Sequence, residues 1–383
     1  MMRYFGRVEE AELRDFLAES RAAHPGFGVL AMLPEGEKER VPVLQKACGG
    51  LGIPLFGTVF PALVKDDAFV SNGLWLLCFD KMPKAWLYAD IPLAPAENEA
   101  FVERIAADFS EFLDASPDGE DVTLLMFFDA LLPNIGTMLE GLYARLADRV
   151  NYLGSNPGSE TFMPMPCLFD GAGSVNDGLL ALMLPGHRGG ILEHGYNVPE
   201  KIIHATSTDG NCIANIDWKP AFDVYREFVQ SQYGVEVTQG NFYSNAVHFP
   251  FGILLANHTV LVRIPVVLRD DGSLLCIGQV PPNSVLTLLR APEINSAHTV
   301  EAIHRGLAGL DPDLAGRDML LFFCAGRHLH LGDAAAAHEL AHFKTVTGAR
   351  SVAGARSLGE IGPSTLGGGY PLFHNATLVA SCI

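Results

Sequence analysis

The chain has 383 residues, of which 49% are hydrophobic and 18% are charged, and its formal net charge is −18. This apolar fraction is large enough to fill buried cores, which excludes an intrinsically disordered protein, and the length predicts two domains rather than one. The negative charge repels phosphate groups, so nucleic acids and anionic membrane surfaces are not expected as partners.

The cysteines and the apolar runs indicate where the protein resides. Seven cysteines are scattered along the chain without a Cys-x-x-Cys pair, a pattern typical of reduced core thiols in a cytoplasmic protein. The N-terminal stretch lacks the apolar segment of a signal peptide. No apolar run approaches the roughly 18 residues that a membrane span requires. The sequence therefore predicts a cytoplasmic protein that does not insert into membranes.

The first 150 residues alternate between helical and extended patterns. Amphipathic or charged stretches predict helices over residues 9–23, 37–49, 96–115 and 139–150. Apolar runs bounded by glycine or proline predict buried strands over residues 26–33, 52–57, 74–79 and 121–128. This alternation indicates layers of helices packed on sheets.

From residue 151 onward the pattern changes. A polar, glycine-bearing loop is expected at 154–159, followed by short strands at 166–170, 178–184 and 201–205. A helix begins near Asp217, and the predicted seam lies there, which gives domains of residues 1–218 and 219–383. The second domain continues with strands at 251–256, 259–268, 273–280 and 284–289, a helix at 294–306 and an apolar run at 320–327.

The predicted fold class is α/β with mixed α+β character. Two closely packed domains are expected, and each would contain mixed sheets flanked by helices.

The apolar run at 320–327 ends at Gly326-Arg327 and is expected to be a strand buried on both faces. Arg327 would then lie at the carboxyl edge of a sheet, where open α/β sheets bind ligands. Glu360 lies on a glycine-flanked loop, and Asn375 follows shortly after it. Together these three side chains would suit a small polar ligand that carries both charges. Alternatively, Arg327 and Glu360 form a structural ion pair.

Seven stretches follow one another along the chain at residues 169–171 with 177–178, 194–196, 206–211, 216–221 with 225, 320–327, 354–361 and 373–377. In this order they resemble motifs of the FIST family, a two-domain sensory module of signal-transduction proteins. The loop at 57–62 departs from the family pattern, and Leu358 replaces the aromatic residue that the family usually has before Gly-Glu.

The resemblance implies a sensor rather than an enzyme. It implies that a small, polar, amino-acid-like molecule binds in the cleft between the domains, and that a partner such as a sensor kinase or another output protein reads its presence. The predicted ligand-binding residues are Arg327, Glu360, Asn375, Cys324, Thr206 and Asn211. Arg327 would clamp a carboxylate, Glu360 would accept an amine, and the amide and hydroxyl groups would orient the ligand. For Cys324, a reactive thiol and an inert buried thiol are both open.

A zinc-dependent hydrolase is the first alternative. His338-Glu339-Leu340-Ala341-His342 matches the HExxH pattern, in which two histidines on one helix face bind zinc and the glutamate acts as a general base. Glu360 could supply a third ligand. Against this reading, the pentapeptide is short for a chain with 13 histidines, and it lies between two segments that resemble the sensory family.

A haem-based sensor of nitric oxide is the second alternative. Some FIST-like proteins resemble haem-containing gas sensors that use a histidine as the axial ligand. His194, His204, His248 and His328 each lie next to or within an apolar strand of this chain. A histidine in such a setting is more often a hydrogen-bonded core residue, and the sequence has no Cys-x-x-Cys-His attachment site.

Overall fold

The computed structural model describes residues 1–6, 10–117, 119–256, 259–294, 296–363 and 369–383. Within these residues the α-helices are α1 (Glu10–Ala23), α2 (Val41–Leu51), α3 (Pro95–Asp114), α4 (Ile135–Leu146), α5 (Ala221–Tyr233), α6 (Phe242–Ala246), α7 (His298–Leu310), α8 (Ala325–Leu331) and α9 (Asp333–Thr347).

The strands of the same residues are β1 (Met2–Phe5), β2 (Gly28–Pro34), β3 (Leu55–Phe60), β4 (Ala62–Lys65), β5 (Ala68–Val70), β6 (Leu74–Phe79), β7 (Ala85–Tyr88), β8 (Val122–Phe128), β9 (Asn151–Ser155), β10 (Leu168–Asp170), β11 (Ser174–Val175), β12 (Leu179–Pro185), β13 (Ile191–Glu193), β14 (Ile203–Asp209), β15 (Cys212–Ile216), β16 (Lys219–Pro220), β17 (Phe251–Leu254), β18 (Val260–Arg263), β19 (Pro265–Leu268), β20 (Leu274–Cys276), β21 (Val285–Leu288), β22 (Asp318–Cys324), β23 (Ser351–Ser357), β24 (Glu360–Gly362), β25 (Leu372–His374) and β26 (Leu378–Cys382).

These strands form four sheets, and three of them mix parallel with antiparallel pairs. The first sheet has the order β1-β6-β2-β3-β10-β11, the second β25-β24-β9-β8-β12-β7 and the third β13-β26-β22-β23-β4-β5. The fourth sheet is antiparallel, with the order β18-β17-β21-β14-β15-β20-β19 and β16 paired to β15. The predicted α/β class with mixed sheets is confirmed.

The first three sheets share one core. Phe60 of β3, Phe127 of β8 and Phe322 of β22 come from three different sheets, and their ring centroids lie 5.6–6.3 Å apart. All three side chains are buried because each strand is apolar on both faces. Each aromatic contact adds roughly 0.5–1.5 kcal/mol beyond the burial of apolar area.

Helices cover the outer faces of these sheets. The apolar stripe of α3, which includes Phe101, Ile105 and Phe109, packs with α4 on the second sheet. The helices α7 and α9 cover the third sheet in the same way, and α1 and α2 cover the first. The fourth sheet has its own core, in which Tyr225 and Phe251 lie with ring centroids 5.5 Å apart.

Sheet pairing connects the beginning of the chain with its end. Strand β4 pairs with β23, and β9 pairs with β24, so the second and third sheets each contain strands from both ends of the sequence. The predicted boundary between residues 218 and 219 stays a prediction. Among the described residues, no helix combines the length and the apolar character needed to cross a membrane.

Several predicted elements differ from the structure in their bounds. The strand expected at 320–327 ends at Cys324, and the remaining residues begin α8, because a short apolar run does not distinguish a strand from a buried helical turn. The helix expected at 139–150 spans 135–146, and the loop expected at 154–159 begins inside β9. Glu9, the predicted first residue of α1, lies outside the described residues.

Candidate functional site

A cavity of about 200 Å³ lies where β22 ends and α8 begins. Its described lining is mainly apolar, and it includes four residues with polar side chains. The lining residues are Glu160, Phe162, Tyr243, Val247, Ile264, Val266, Ile277, Cys324, Ala325, Gly326, Leu329, Leu358 and Asn375.

The end of β22 forms one wall of this cavity. The Cys324 sulfur accepts a hydrogen bond from the backbone N–H of Ala376 at 3.0 Å, and burial raises the pKa of the Cys324 thiol well above its ordinary value. Gly326 follows, and a Cβ there would lie 2.4 Å from the Cδ1 atom of Ile264. Any residue with a side chain at this turn would require the Ile264 side chain to shift. The raised pKa favours the inert thiol over the reactive one.

Asn375 is the polar group most deeply placed in the lining, since its side chain is almost fully buried. Its Oδ1 accepts a hydrogen bond from the backbone N–H of Ile264 at 3.4 Å, and its Nδ2 donates to the carbonyl of His374 at 3.2 Å. An asparagine amide has two donor hydrogens and two acceptor positions, so this one retains capacity for another hydrogen bond.

Glu360 lies behind Cys324 and outside the described lining of the cavity. Its carboxyl group is fully buried, and it accepts hydrogen bonds from the hydroxyls of Ser357, at 2.5 Å, and Thr377. Burial raises the pKa of Glu360 to about 8, although the bonds from Ser357, Thr377 and Cys324 oppose the rise. A carboxyl with this pKa is largely protonated at neutral pH.

The mouth of the cavity carries charge. Glu160 accepts a hydrogen bond from Nη2 of Arg356 at 2.8 Å, and its other carboxylate oxygen lies 2.7 Å from Nε of Arg356. The Nη1 atom of Arg356 lies 2.8 Å from Nδ1 of His328. Burial raises the pKa of Glu160, and the charge of Arg356 opposes that shift. Beside this pair, the Tyr243 side chain is 44% exposed.

Arg327 is buried but does not belong to the described lining of this cavity. Its Nε and Nη2 atoms donate to both carboxylate oxygens of Glu339, at 2.8 and 2.6 Å, and Nη1 donates to the carbonyl of His194 at 2.7 Å. Nη2 also donates to the Thr299 hydroxyl at 3.0 Å. The ion pair considered between Arg327 and Glu360 is thus wrong, because Arg327 pairs with Glu339 instead.

Thr206 and Asn211 lie on the fourth sheet and the turn that joins β14 to β15. The Thr206 hydroxyl accepts from the backbone N–H of Trp218 at 3.0 Å, and the Asn211 amide donates to the carbonyl of Cys276 at 3.0 Å. Neither belongs to the described lining of the cavity. Of the six predicted residues, the structure therefore brings Cys324 and Asn375 to one cavity, and Glu360 lies next to Cys324.

The HExxH segment forms part of α9, as predicted. His338 and His342 line a small separate cavity of about 90 Å³ together with Arg327 and Glu339. The Glu339 carboxylate holds Arg327 with both oxygens, so it is not oriented to activate a water molecule. Across the described part of the chain, no group of three or more His, Cys, Asp or Glu side chains is placed to hold a metal ion.

The four histidines considered for haem lie elsewhere in the structure. His194 is half-buried beside His374, with ring centroids 6.3 Å apart, whereas His204 is exposed beside Asp217. The Nδ1 atom of His248 lies 2.7 Å from Nδ1 of His330, and the His328 ring stacks on Phe69. None of them belongs to the described lining of the 200 Å³ cavity, so the residues there do not fit haem.

The sequence interpretation missed most of the apolar lining. Val266 lies on β19, and Phe162 lies in a loop next to Met163, whose side chain is 67% exposed. The run Phe162-Met163-Pro164-Met165 is unusually apolar for a loop, and this signal could have identified one wall.

Comparison with known families gives two adjacent matches. A sequence model of the FIST N domain matches residues 30–219, and one of the FIST C domain matches residues 221–363. No curated protein matches the chain.

Proposed function

The chain belongs to the FIST family, whose domains are associated with signal transduction and small-ligand sensing, and on this premise we propose that it binds a small molecule in the 200 Å³ cavity and signals to a partner protein. A partner such as a sensor kinase or another output protein would read the occupied state. Sensing of this kind requires differential binding between two states rather than turnover.

The position of the cavity is the observation that supports this proposal. Glu160 and Phe162 come from the segment that matches FIST N, and Val247, Ile264 and Leu358 come from the segment that matches FIST C. A concave, mostly apolar surface with a few convergent polar groups is typical of small-molecule sites. Its volume is below the ~300–1,000 Å³ of drug-sized pockets, which favours a ligand of metabolite size.

The lining also indicates the kind of ligand. Ile264, Ile277 and Leu358 would contact an apolar part, and the unused hydrogen-bonding capacity of Asn375 would fix a polar group. For an amino-acid-like molecule, Glu160 at the mouth would accept the amine in the role predicted for Glu360. Arg327 would not bind the carboxylate of such a ligand, because its nitrogen donors are already bound to Glu339, His194 and Thr299.

Two neighbouring valines of β19 give a matched test. Val266 lines the cavity, whereas Val267 points to solvent with 45% of its side chain exposed. Val266→Phe should fill the cavity, and Val267→Phe should leave it open. A thermal-shift screen of amino acids and related metabolites would identify a ligand for the unmodified protein. That ligand should stabilise Val267→Phe equally and should stabilise Val266→Phe little or not at all.

The comparison of Val266→Phe with Val267→Phe can either support or contradict the proposal. Equal stabilisation of both variants would place the ligand elsewhere and would contradict the proposal. Ligand-free melting temperatures provide the folding control, because a bulky side chain that merely unfolds the protein would lower the transition before any ligand is added.

A further inference from the structure

Arg263, at the end of β18, is a buried guanidinium that has no acidic partner among the residues that the structure describes. Its side chain is 2% exposed, and Nε and Nη1 donate to the backbone carbonyls of Gln279, Val262 and Phe373 at 2.7–3.0 Å. No ion pair to Arg263 occurs among the described residues, in contrast to Arg327, which binds Glu339 with two nitrogens. Fully buried arginines are almost always paired, and the described part of the chain supplies no counter-ion for this charge.

The guanidinium borders a second cavity, of about 390 Å³, between the first turns of α4 and the fourth sheet. Within the described ranges, Nη2 of Arg263 has no protein acceptor. The described linings of this cavity and of the 200 Å³ cavity share no residue. The two cavities are nevertheless close to each other along the chain, because Arg263 lines the larger one and the next residue, Ile264, lines the smaller one.

The chain keeps space for this guanidinium. Gly278 has a φ of +84°, and a Cβ there would lie 3.0 Å from Nε and 3.1 Å from Cζ of Arg263. Glycine adopts this left-handed conformation at little cost, and it alone leaves the space unfilled. The position of Arg263 is therefore fixed by three carbonyls and by a glycine, while one edge of the guanidinium stays available.

The charge persists at neutral pH. Burial lowers the pKa of Arg263 to about 10, and the group therefore remains protonated in neutral solution. The first turn of α4 also lines this cavity, but the N–H and the hydroxyl of Thr137 both donate to Oε1 of Gln279 at 3.0 Å. It is therefore the Arg263 guanidinium that favours negative charge in this cavity.

We propose that this cavity binds a small carboxylate, which accepts the hydrogen bond that Nη2 of Arg263 leaves unmade and neutralises the buried guanidinium. Leu139, Leu261 and Leu372 would contact a short apolar tail. This inference concerns a cavity separate from that of the proposed function and stands independently of it.

The rim disfavours anions of higher charge. Glu140 and Asp209 are exposed and line the same cavity, so a phosphate dianion would be repelled more strongly than a carboxylate. Because three of the guanidinium hydrogens already reach backbone carbonyls, few donors remain for a tetrahedral anion. A monoanion therefore fits better than phosphate.

Isothermal titration with sodium butyrate, at an ionic strength held constant with sodium chloride, tests this site. The unmodified protein should bind butyrate more tightly than inorganic phosphate, and Arg263→Met should weaken butyrate binding at least tenfold. Binding of phosphate in preference to butyrate, no butyrate binding at all, or unchanged binding by a folded Arg263→Met variant would each overturn the proposal.

Arg263→Met removes buried hydrogen bonds and could fail to fold, so an exposed position provides a second test. Glu140→Gln should tighten butyrate binding by about two- to fivefold at low ionic strength because it removes repulsion at the rim. Glu103→Gln on α3, an exposed carboxylate outside the cavity, should change nothing. Equal effects of the two substitutions would overturn the proposal, as would loss of butyrate binding in Val266→Phe, which would place butyrate in the smaller cavity.

Discussion

The carboxyl group of Glu360 is fully buried, and the hydroxyls of Ser357 and Thr377 are its hydrogen-bond partners. Burial raises its pKa from 4.5 to about 8, which means that the folded protein retains a proton that the unfolded chain has already released. Between these two values the unfolded chain binds fewer protons than the folded protein. Folding stability must therefore decrease as the pH rises through this window.

This linkage gives a measurable pH dependence. The contribution of Glu360 to the free energy of unfolding should fall by roughly 2–4 kcal/mol between pH 5 and pH 8. Glu360→Gln should remove that decrease, since the amide is neutral throughout and can still pair with both hydroxyls. Urea unfolding of both proteins at pH 5, 6, 7 and 8 measures the difference. Parallel pH profiles for the two proteins would contradict the assignment.

The pair of Arg327 and Glu339 is a second residue-level case. Removal of one member leaves a buried charge unpaired, so Arg327→Ala and Glu339→Ala should each lower the free energy of unfolding by roughly 3–5 kcal/mol. The double variant should lose clearly less than the sum, because no charge is left unpaired. Denaturant unfolding of the four proteins gives the coupling energy. Additive losses would show that the pair does not interact strongly.

The sequence singled out Arg327 and Glu360 but did not predict their surroundings. It placed Arg327 at the edge of a sheet and Glu360 on a glycine-flanked loop, whereas the structure buries both side chains. The partner of Arg327 was not foreseeable, because Glu339 reaches it only through the packing of α8 against α9, whereas Glu360 is engaged by hydroxyls of its neighbouring strands. Spacing along a chain does not determine which elements pack together.

At the scale of an element, strand β9 contains a glycine that the sequence analysis assigned to a loop. Gly154 lies in β9, opposite Met126 of the parallel strand β8, and a Cβ at Gly154 would lie 2.2 Å from the Met126 carbonyl oxygen. The sequence interpretation took this glycine as the beginning of a loop. The structure instead uses it inside a strand where two backbones approach closely.

Gly154→Ala should therefore be costly. The clash involves backbone at the centre of the second sheet, which cannot move away easily, so we expect a loss of roughly 3 kcal/mol or more in the free energy of unfolding. Gly49→Ala is the matched control, because Gly49 is an exposed position of α2 where an added Cβ would meet no atom within 4 Å. That substitution should stabilise the protein by about 0.5–1 kcal/mol. Similar denaturation midpoints for the two variants would refute the packing argument.

The transition from β22 to α8 was only half predictable. The apolar run identified the buried strand correctly, but Ala325 and Gly326 extend it past Cys324, so the sequence did not show that the strand ends there. A similar limit applies to the predicted strand at 259–268. The structure divides it at Ile264 into β18 and β19, and this division places Ile264 and Val266 at one cavity and Arg263 at the other.

On the scale of the whole molecule, neighbouring strands in the sheets are often far apart in the sequence. Strands β4 and β9 precede residue 218, yet they pair with β23 and β24 near the end of the chain. The fourth sheet, by contrast, has a separate core, and both cavities lie at its border with the other three sheets. Small changes in the position of the fourth sheet would therefore alter both cavities together.

This arrangement predicts which parts of the molecule open together. Native-state hydrogen exchange in low denaturant should give β8, β9, β22 and β24 the same opening free energy. Strands β24, β9 and β8 pair within one sheet, and Phe127 of β8 packs on Phe322 of β22. The fourth sheet should exchange as a distinct unit. If β22 instead opened together with β17 and β21, and separately from β8, independent domains divided near residue 218 would explain the protein better than the shared sheets do.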